Sequence, residues 1–491
     1  MSGPLPLRQA VTMETVALPS PNAADQAAFL AAHPEYEATR GIDELRAREF
    51  ARLDAHGDVY LDYTGGGLYA ASQVRAHAEQ LLAHVFGNPH SSNPTSLRSS
   101  EHVERCRADV LRYFNAPRDE YTVIFTNNAS QALKLVGESY PFEPGSTLLL
   151  TFDNHNSVNG IREFARSRGA RTVYLPVFPP DMRADPALVA GRLDALASPA
   201  PNLFAYPAQS NFSGVQHPLE WVARAQERGW DVLLDAAAFV PANRLDLSAV
   251  QPEYLVLSFY KMFGYPTGVG ALLARRRALE KLHRPWFAGG TITVASVQAD
   301  RHYLAPGSAA FEEGSPSYLT IPAVEFGLSL VESVGIDTIH TRVRCLAGWL
   351  IDALLSLLHD NGEPLVRLYG PANTTARGAT LALNFYDRIG RALDHRLIER
   401  QANRERISLR TGCFCNPGAG ETALGLTKGE LDSCFLHSSR RMTFDQFRSC
   451  IDGRSSGAVR VSLGLASNFD DVLAMRNFAR QFLDWENGPE D

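Results

Sequence analysis

Between about residue 59 and residue 310, short apolar runs alternate with longer amphipathic stretches. The runs are rich in Val, Leu, Phe and Tyr: VYLDY, YTVIFT, STLLLTF, TVYLPV, NLFAYP, DVLLDA, YLVLSF and GVGALLA. Stretches such as SLRSSEHVERCRADVLRYF, which lie between them, have helical periodicity. Strands that alternate with helices are typical of a mostly parallel sheet covered by helices on both faces. This pattern therefore predicts an α/β fold.

The pattern changes after about residue 315. TIPAVEFGLSLVESVG and IHTRVRCLAGWLIDALLSLLHDNG predict two long helices, and mixed segments such as TLALNFY, DHRLIERQANRERI and AVRVSLG follow them. We predict a large domain over residues 56–315 and a smaller α+β domain over residues 316–491. Residues 1–55 combine a Pro-rich start with two helical patterns, which we expect to pack on the small domain.

Composition argues against several classes of function. The 491 residues carry 54 acidic and 47 basic side chains, a net charge of −7, so no basic excess favours nucleic acid as a partner. No run approaches the roughly 18 apolar residues of a membrane span, and the start lacks a signal-peptide core. We predict a cytoplasmic protein with no membrane partner, in which thiols stay reduced. Four cysteines are therefore expected to be unpaired: Cys106, Cys345, Cys434 and Cys450.

Polar side chains stand where several of the apolar runs end. TNNASQALKLV offers small polar residues and a predicted helix start, which suit a phosphate group. His155, Asn211, Asp235 and Lys261 each follow another run. Each has an ordinary structural reading alone, such as a helix cap for Asp235 or a surface loop for Lys261. Because ligands gather at the carboxyl ends of parallel strands, the set together fits pyridoxal 5'-phosphate (PLP).

A set of longer motifs resembles fold-type I PLP enzymes of the class V aminotransferase group. The match is to cysteine desulfurases, and most closely to the desulfurase-like part of molybdenum cofactor sulfurases. The motifs are FGNPHS, NHNSVNGIREFA, FAYPAQSNFSG, LLDAAAFVP, SFYKMFGYPTGVGALL, SLRTGCFCNPGA and GAVRVSLG, between about residue 55 and the end. The resemblance implies a mainly parallel seven-stranded sheet in the large domain, a homodimer, and L-cysteine as substrate.

The resemblance also implies a role for each matching residue. Lys261 forms the imine with PLP and moves protons, Asp235 holds the pyridine nitrogen protonated, and His155 stacks on the ring. Asn211 bonds the phenolic oxygen. The phosphate is held by Ser130, Ser258 and backbone groups near Asn128 and Ala129, and by Ser315 from the partner subunit. Arg460 binds the substrate carboxylate, with Arg410 nearby. Ala238 and Tyr260 depart from most cysteine desulfurases but follow the molybdenum cofactor sulfurase pattern.

The segment Arg410–Gly418, RTGCFCNPG, carries two cysteines one residue apart. The family pattern makes Cys415 the nucleophile that takes sulfur from L-cysteine as a persulfide. The other cysteine, Cys413, either shares the sulfur or is a bystander, and we favour the bystander. A metal site is not expected, because no second cysteine or histidine pair lies at suitable spacing. Residues 420–457 resemble the insertion of the sulfurases, and we interpret them as a lid or acceptor-facing element.

Three hypotheses follow. The first is a desulfurase that passes the Cys415 sulfur to molybdenum cofactor or another acceptor. Because long sulfurases carry a further domain and this sequence ends at Asp491, we expect the acceptor to be separate. The second is a PLP-dependent C–S lyase or aminotransferase of the same fold that needs no Cys415 persulfide. The third, a non-catalytic scaffold, is disfavoured because Lys261, Asp235 and Cys415 occur together.

Overall fold

A computed structural model of the chain describes residues 23–436, 442–443, 446 and 457–485. The Pro-rich start and much of the predicted 420–457 insertion lie outside the described residues. The described strands are β1 Val59–Tyr60, β2 Tyr121–Thr126, β3 Thr147–Thr151, β4 Arg171–Leu175, β5 Val177–Phe178, β6 Arg183–Ala184, β7 Leu203–Pro207, β8 Asp231–Asp235, β9 Tyr254–Ser258, β10 Gly270–Arg275, β11 Ile292–Ser296, β12 Arg301–Leu304, β13 Val366–Tyr369, β14 Thr380–Phe385, β15 Ile407–Ser408, β16 Arg410–Gly412 and β17 Ala458–Ser462.

The described α-helices are α1 Ala23–Ala32, α2 Gly41–Glu49, α3 Ala51–His56, α4 Ala71–Ala83, α5 Pro94–Tyr113, α6 Ala129–Ser139, α7 Asn156–Asn159, α8 Ile161–Ser167, α9 Pro186–Ala195, α10 Trp221–Gln226, α11 Phe259–Phe263, α12 Arg276–Leu279, α13 Ala323–Val334, α14 Ile336–Leu355, α15 His395–Arg404, α16 Pro417–Leu424, α17 Lys428–Leu436 and α18 Phe469–Arg480. Two 3-10 helices span Pro34–Thr39 and Gly307–Phe311. Within the described ranges, no helix combines the length and the apolar character that crossing a membrane requires.

A seven-stranded sheet forms the centre of the large domain, in the order β2-β10-β9-β8-β7-β3-β4. Strand β10 is antiparallel to both of its neighbours, and the other pairs are parallel. Leu149 faces one hydrophobic cluster, whereas Leu148 and Leu150 face a second cluster on the other side. Both faces are therefore buried, which explains why the strands are almost continuously apolar. The predicted mainly parallel seven-stranded sheet is confirmed.

A four-stranded antiparallel sheet forms the second layer, in the order β13-β14-β17-β16. Helices α14 and α18 contribute Leu346, Leu350 and Phe478 to its hydrophobic cluster, and the sheet contributes Leu381 and Val459. In the N-terminal helix α1, Phe29 stacks on Phe469 with 4.6 Å between ring centres. Aromatic stacking of this kind adds to the stabilisation from buried area. The N-terminal helices are thereby held against the C-terminal part of the chain.

The strands differ from the sequence predictions in two places. The VYLDY run does not enter the large sheet, because β1 pairs in parallel with β15, about 350 residues later in sequence. Whether VYLDY joins the large sheet or pairs with β15 depends on this long-range contact, which the local sequence does not reveal. Strands β11 and β12 form an exposed antiparallel hairpin that the sequence pattern did not predict. Nearly all of its residues are exposed, so no run of buried apolar residues marks it.

The cysteines also differ from expectation at one position. Cys106 and Cys345 are buried and free, as predicted, but Cys434 is disulfide-bonded. The prediction that Cys434 is unpaired is wrong, because spacing along a chain does not reveal which thiols meet in space. Cys450 lies outside the described residues.

Candidate active site

A cavity of about 460 Å³ lies at the edge of the large sheet where the parallel strands end. We call it the strand-end cavity. Eight residues that the sequence singled out line it: Asn128, Ala129, Ser130, His155, Asn211, Asp235, Ser258 and Lys261. The lining also includes Ser157, Gln209, Ala238, Tyr260, Thr267 and Gly268. The carboxyl ends of the parallel strands, where ligand sites form, thus bring together residues that are far apart in sequence.

One end of the cavity is built from the start of α6. The side chain of Asn128 caps this helix by accepting a hydrogen bond from the Gln131 amide. The Ala129 amide donates to Ser258 Oγ at 3.1 Å, which joins the helix start to the end of β9. Ser130 Oγ and Ser157 Oγ lie 2.6 Å apart. Hydroxyls beside a helix N-terminus form an anion site. Ser157, two residues after His155, was not among the predicted site residues.

A glycine makes this end of the cavity possible. A Cβ added at Gly270, on β10, would lie 2.6 Å from the backbone carbon of Asn128. That distance is too short for any side chain, so the loop before α6 can press against β10 only because residue 270 is glycine. The resulting cradle is closed by backbone on one side and by hydroxyls on the other.

Lys261 lies on the short helix α11, directly after β9. Burial lowers the pKa of Lys261, and the Arg460 and Arg410 guanidinium groups lower it further while Asp235 opposes them. A Cβ added at Gly67 would lie 2.9 Å from the Lys261 carbonyl oxygen, so Gly67 packs against the backbone of this helix. The neutral amine, which is the nucleophilic form, is therefore favoured.

His155 and Asp235 follow β3 and end β8, respectively. The Ser157 amide donates to His155 Nδ1 at 3.1 Å, so this nitrogen is unprotonated when the bond forms. Burial lowers the pKa of His155, and nearby Lys261 and Arg460 add to that effect. The Asp235 carboxylate accepts a hydrogen bond from the Ala237 amide at 3.0 Å while lining the cavity. This bond holds a turn and caps no helix, because the next described helix begins at Phe259. Asp235 faces the cavity at the same time.

The cysteine loop Cys413–Asn416 lies beside the cavity and is held by backbone bonds. Phe414 and Cys415 have φ angles of 54° and 55°, in the left-handed region that non-glycine residues rarely adopt. The Asn156 amide donates to the Cys415 carbonyl at 2.7 Å, and Asn211 Nδ2 donates to the Phe414 carbonyl at 2.8 Å. Asn211 thus holds the loop in this structure, in addition to lining the cavity.

Asn416 completes the attachment of this loop. Its side chain is fully buried, donates to the Asp153 carbonyl at 2.7 Å and to Asn211 Oδ1 at 2.9 Å, and caps α16. These bonds fix the backbone of the loop. Cys413 and Cys415 are both exposed and free, and neither lines the cavity.

Arg410 and Arg460 meet at one carboxylate, that of Asp62. Arg410 Nη2 donates to Asp62 Oδ2 at 2.7 Å, and Arg460 Nη2 donates to Asp62 Oδ1 at 2.9 Å. Burial lowers the pKa of Arg460, whereas the bond to Asp62 raises that of Arg410. Both guanidinium groups interact electrostatically with Cys415. Asp62 was not among the predicted site residues, although the glycines at positions 65–67 mark an unusual backbone approach.

Ser315 stands apart from these residues. It is exposed, does not line the cavity, and accepts a hydrogen bond from Asn88 Nδ2 at 2.9 Å. The loops FEEGSPS and FGNPHS therefore pack against each other on the surface.

Potential metal ligands gather at a different place. Among the described residues, one group of three ligand atoms, from His33, Glu35 and Cys345, lies within 4.8 Å of one another. Glu35 in this group already pairs with Arg344 at 3.0 Å. In the described part of the chain, the two loop cysteines belong to no such group.

Comparisons with known proteins place this architecture in a family. A model of the aminotransferase class-V family matches residues 59–475. Molybdenum cofactor sulfurase of Bos taurus is 37% identical over 459 residues, which is 89% of this chain and 51% of the relative. The Solanum lycopersicum protein of the same name is 36% identical over 469 residues, 89% of this chain and 57% of the relative. The chain thus spans about half the length of these curated relatives.

A solved structure extends the comparison to the fold. The apo structure of a cysteine desulfurase from Thermococcus onnurineus NA1 superposes with a TM-score of 0.73 at 20% identity, covering 90% of this chain and 98% of that chain. At this identity the likeness establishes the fold. Since the family model also spans most of the sequence, this chain belongs to the aminotransferase class-V family.

Proposed function

We propose that this chain is a PLP-dependent cysteine desulfurase of the molybdenum cofactor sulfurase type. It converts L-cysteine to L-alanine and carries the sulfur as a persulfide on Cys415. The observation that carries the proposal is the double role of Asn211, which lines the cavity of Lys261 and also holds the Cys415 loop. A sulfurase of this type needs a lysine and a nucleophilic cysteine within reach of one substrate.

The residues around the strand-end cavity fit PLP. The cradle between Asn128 and Gly270, with the Ser130 and Ser258 hydroxyls, suits the phosphate. Asp235 suits the pyridine nitrogen, and the Lys261 amine suits the aldehyde. When bound there, PLP would draw electrons away from the α-carbon of an amino-acid substrate. His155 offers a ring face and a neutral imidazole for stacking.

The chain's own residues then account for the remaining chemistry. Arg460 binds the substrate carboxylate, because its Nε is buried without a hydrogen-bond partner. Lys261, in its neutral form, removes and returns protons. The Cys415 thiolate attacks Sγ of the substrate: the Cβ–Sγ bond breaks, an S–S bond forms, and the electron pair left on Cβ takes a proton to give alanine.

The sulfur acceptor and a second subunit complete the proposal. The acceptor is a protein or a small molecule of the molybdenum cofactor type, and the exposed position of Cys415 supports transfer to a large partner. A homodimer is supported by the exposed Ser315 and the exposed β11–β12 hairpin. In that dimer, Ser315 reaches the phosphate end of the partner's cavity.

The proposal is tested with purified protein, L-cysteine and dithiothreitol. Sulfide and alanine are measured together for the wild type and for Lys261→Ala, Cys415→Ala and Cys413→Ala. We expect equal rates of both products in the wild type, loss of both in Lys261→Ala, and loss of both in Cys415→Ala. The Cys413→Ala protein is the matched control and retains both activities. A wild type that releases neither product contradicts the proposal.

One observation favours a second candidate. Cys415 does not line the strand-end cavity, as expected for a C–S lyase or aminotransferase that needs no persulfide. That candidate requires Cys415→Ala to be as active as the wild type. The same assay therefore separates the two functions.

A further inference from the structure

Asp62 occupies a position that the proposed function does not assign. It lies just after β1, where its backbone bridges to Ser462 of β17, and its side chain is 12% exposed. Its two carboxylate oxygens accept hydrogen bonds from Arg410 and Arg460, at 2.7 Å and 2.9 Å. One anion thus serves two cations from neighbouring strands.

The strand register explains why that anion is needed. Arg410 of β16 and Arg460 of β17 are direct cross-strand partners in an antiparallel pair. Like charges placed directly opposite each other destabilise a sheet. Arg460 is 2% exposed and has little access to solvent that would screen the repulsion. The shared Asp62 carboxylate offsets this repulsion and fixes the positions of both guanidinium groups.

The backbone around Asp62 is shaped for this contact. A Cβ added at Gly65 would lie 2.5 Å from Asp62 Oδ2 and 2.8 Å from Arg410 Nη2. The amides of Gly65 and Gly66 both donate to the Asp62 carbonyl, at 3.0 and 3.2 Å. Glycine at position 65 therefore leaves room for the ion pair, and the turn holds the carboxylate in place.

The charges and donors in this group are not fully matched. Two guanidinium groups share one carboxylate, which leaves one positive charge in excess. Arg460 donates Nη1 to the Asn211 carbonyl at 3.0 Å and Nη2 to Asp62, while its Nε is buried without a partner. An unpartnered buried guanidinium donor is costly and points to a missing acceptor. A carboxylate-bearing ligand supplies both the charge and the acceptor.

We propose that Asp62 is a positioning residue: it orients Arg460 for the carboxylate of the substrate and simultaneously ties Arg410, at the start of the cysteine strand, to the same point. This rests on the proposed function, in which the substrate is an amino acid. Arg460 also lies over the Phe414 ring of the cysteine loop, 4.8 Å from its centre. Carboxylate binding and loop position are therefore linked through one side chain.

The test compares two amines that differ only in the carboxylate, L-alanine and ethylamine. Binding of each to the holoprotein is followed by the change in cofactor absorbance. Asp62→Asn keeps the shape and one acceptor but removes the charge. We expect L-alanine to bind at least about tenfold more weakly to this variant, because a buried charge pair has lost one partner. Ethylamine binding should be unchanged, and Asp62→Glu should recover part of the difference.

Two further variants complete the design. Gly65→Ala crowds the ion pair without removing a charge and should weaken L-alanine binding in the same direction, which keeps the test valid if Asp62→Asn folds poorly. Asp58→Asn is the matched control, since Asp58 pairs with Arg406 at 3.4 Å on the exposed side of the same segment. It should leave both ligands unaffected.

The outcomes separate the inference from the proposed function. If Asp62→Asn binds L-alanine as well as the wild type or more tightly, Asp62 competes with the ligand or is irrelevant, and the inference is wrong. If that happens while the wild type still releases sulfide from L-cysteine, the desulfurase function stands. If the wild type neither releases sulfide nor prefers L-alanine to ethylamine, both fail.

Discussion

Asn211, which lines the strand-end cavity, accepts a hydrogen bond of 2.9 Å from Asn416 of the cysteine loop. Both are buried, and each also bonds a backbone carbonyl, of Phe414 and Asp153 respectively. Buried amides that are hydrogen-bonded through both nitrogen and oxygen tend to specify one arrangement. The left-handed φ angles of the loop are held by these contacts, so the position of Cys415 depends on residues from the large domain.

The lowered pKa of His155 leads to a prediction about acid stability. Burial disfavours the charged imidazole in the folded protein, whereas in the unfolded chain the pKa of His155 lies near the ordinary histidine value of 6.5. The unfolded state therefore binds more protons once the pH falls through 6.5 toward the lower folded value. The free energy of unfolding should decrease over that window and be fully retained above it.

The measurement is urea unfolding of the protein as purified, at pH 7.5 and pH 5.5. His155→Gln removes the titrating group, so this variant should lose less stability between the two pH values than the wild type does. The exposed His56 serves as a control, and His56→Gln should behave as the wild type. Equal pH dependence in the wild type and in His155→Gln would show that this histidine is not the cause.

Much of the site could be predicted from single residues at strand ends. His155, Asp235 and Lys261 each follow an apolar run, and the sheet necessarily brings such positions together. Asp62 and Asn416 could not be found in this way. Asp62 depends on β1 pairing with a strand far along the chain, and Asn416 looks like an ordinary helix cap until its buried amide contacts are known.

Among the secondary-structure elements, helix α16 determines the position of the cysteine loop, which directly precedes it. It starts at Pro417, and a Cβ added at Gly418 would lie 2.0 Å from the Phe152 carbonyl oxygen. Phe152 begins the loop after β3 that leads to His155. The helix can therefore approach this loop only through a glycine, and backbone on the other side cannot move away as a flexible side chain would.

Gly418→Ala is accordingly expected to displace α16 and the loop before it. We predict a loss of about 1–3 kcal/mol in the free energy of unfolding, because overpacking forces a backbone shift. Sulfide release should fall by at least about tenfold, since small displacements of a reacting group are costly. Thermal unfolding and the sulfide assay measure the two effects.

Gly191→Ala provides the control for this prediction. Gly191 is an exposed position within α9, and a Cβ there would have no neighbour within 4 Å. This substitution should stabilise the protein by about 0.5–1 kcal/mol through helix propensity and leave sulfide release unchanged. A Gly418→Ala protein as stable and as active as Gly191→Ala would contradict the close approach.

The elements themselves were predicted with uneven success, for physical reasons. Strand β2 spans the predicted run YTVIFT, because a strand buried on both faces is apolar throughout. The hairpin β11–β12 is exposed on nearly every residue, and its stabilising contacts are not recorded in its own hydropathy. Apolar patterning marks a strand only where its side chains are buried, and this hairpin buries almost none within one chain.

That exposed hairpin bears on the assembly of the whole molecule. Val294, Val297 and Tyr303 are 58%, 98% and 66% exposed. Exposed apolar side chains that cluster in one element mark an interaction surface. The proposed homodimer would cover them, and it would also bring Ser315 to the cavity of the partner, where Ser315 has a ligand to bind.

Replacing Val297 and Tyr303 together by glutamate should therefore shift the protein from dimer to monomer, because two charges would have to be buried in an apolar contact. Light scattering after size-exclusion chromatography measures the mass, and absorbance measures retained PLP. We expect the monomeric variant to lose cofactor, since each cavity would lack the partner's serine.

Ile389→Glu, which alters another exposed apolar residue, should leave mass and cofactor unchanged. A double variant that stays dimeric would place the interface elsewhere, and one that becomes monomeric yet keeps its PLP would show that each cavity is complete within one chain.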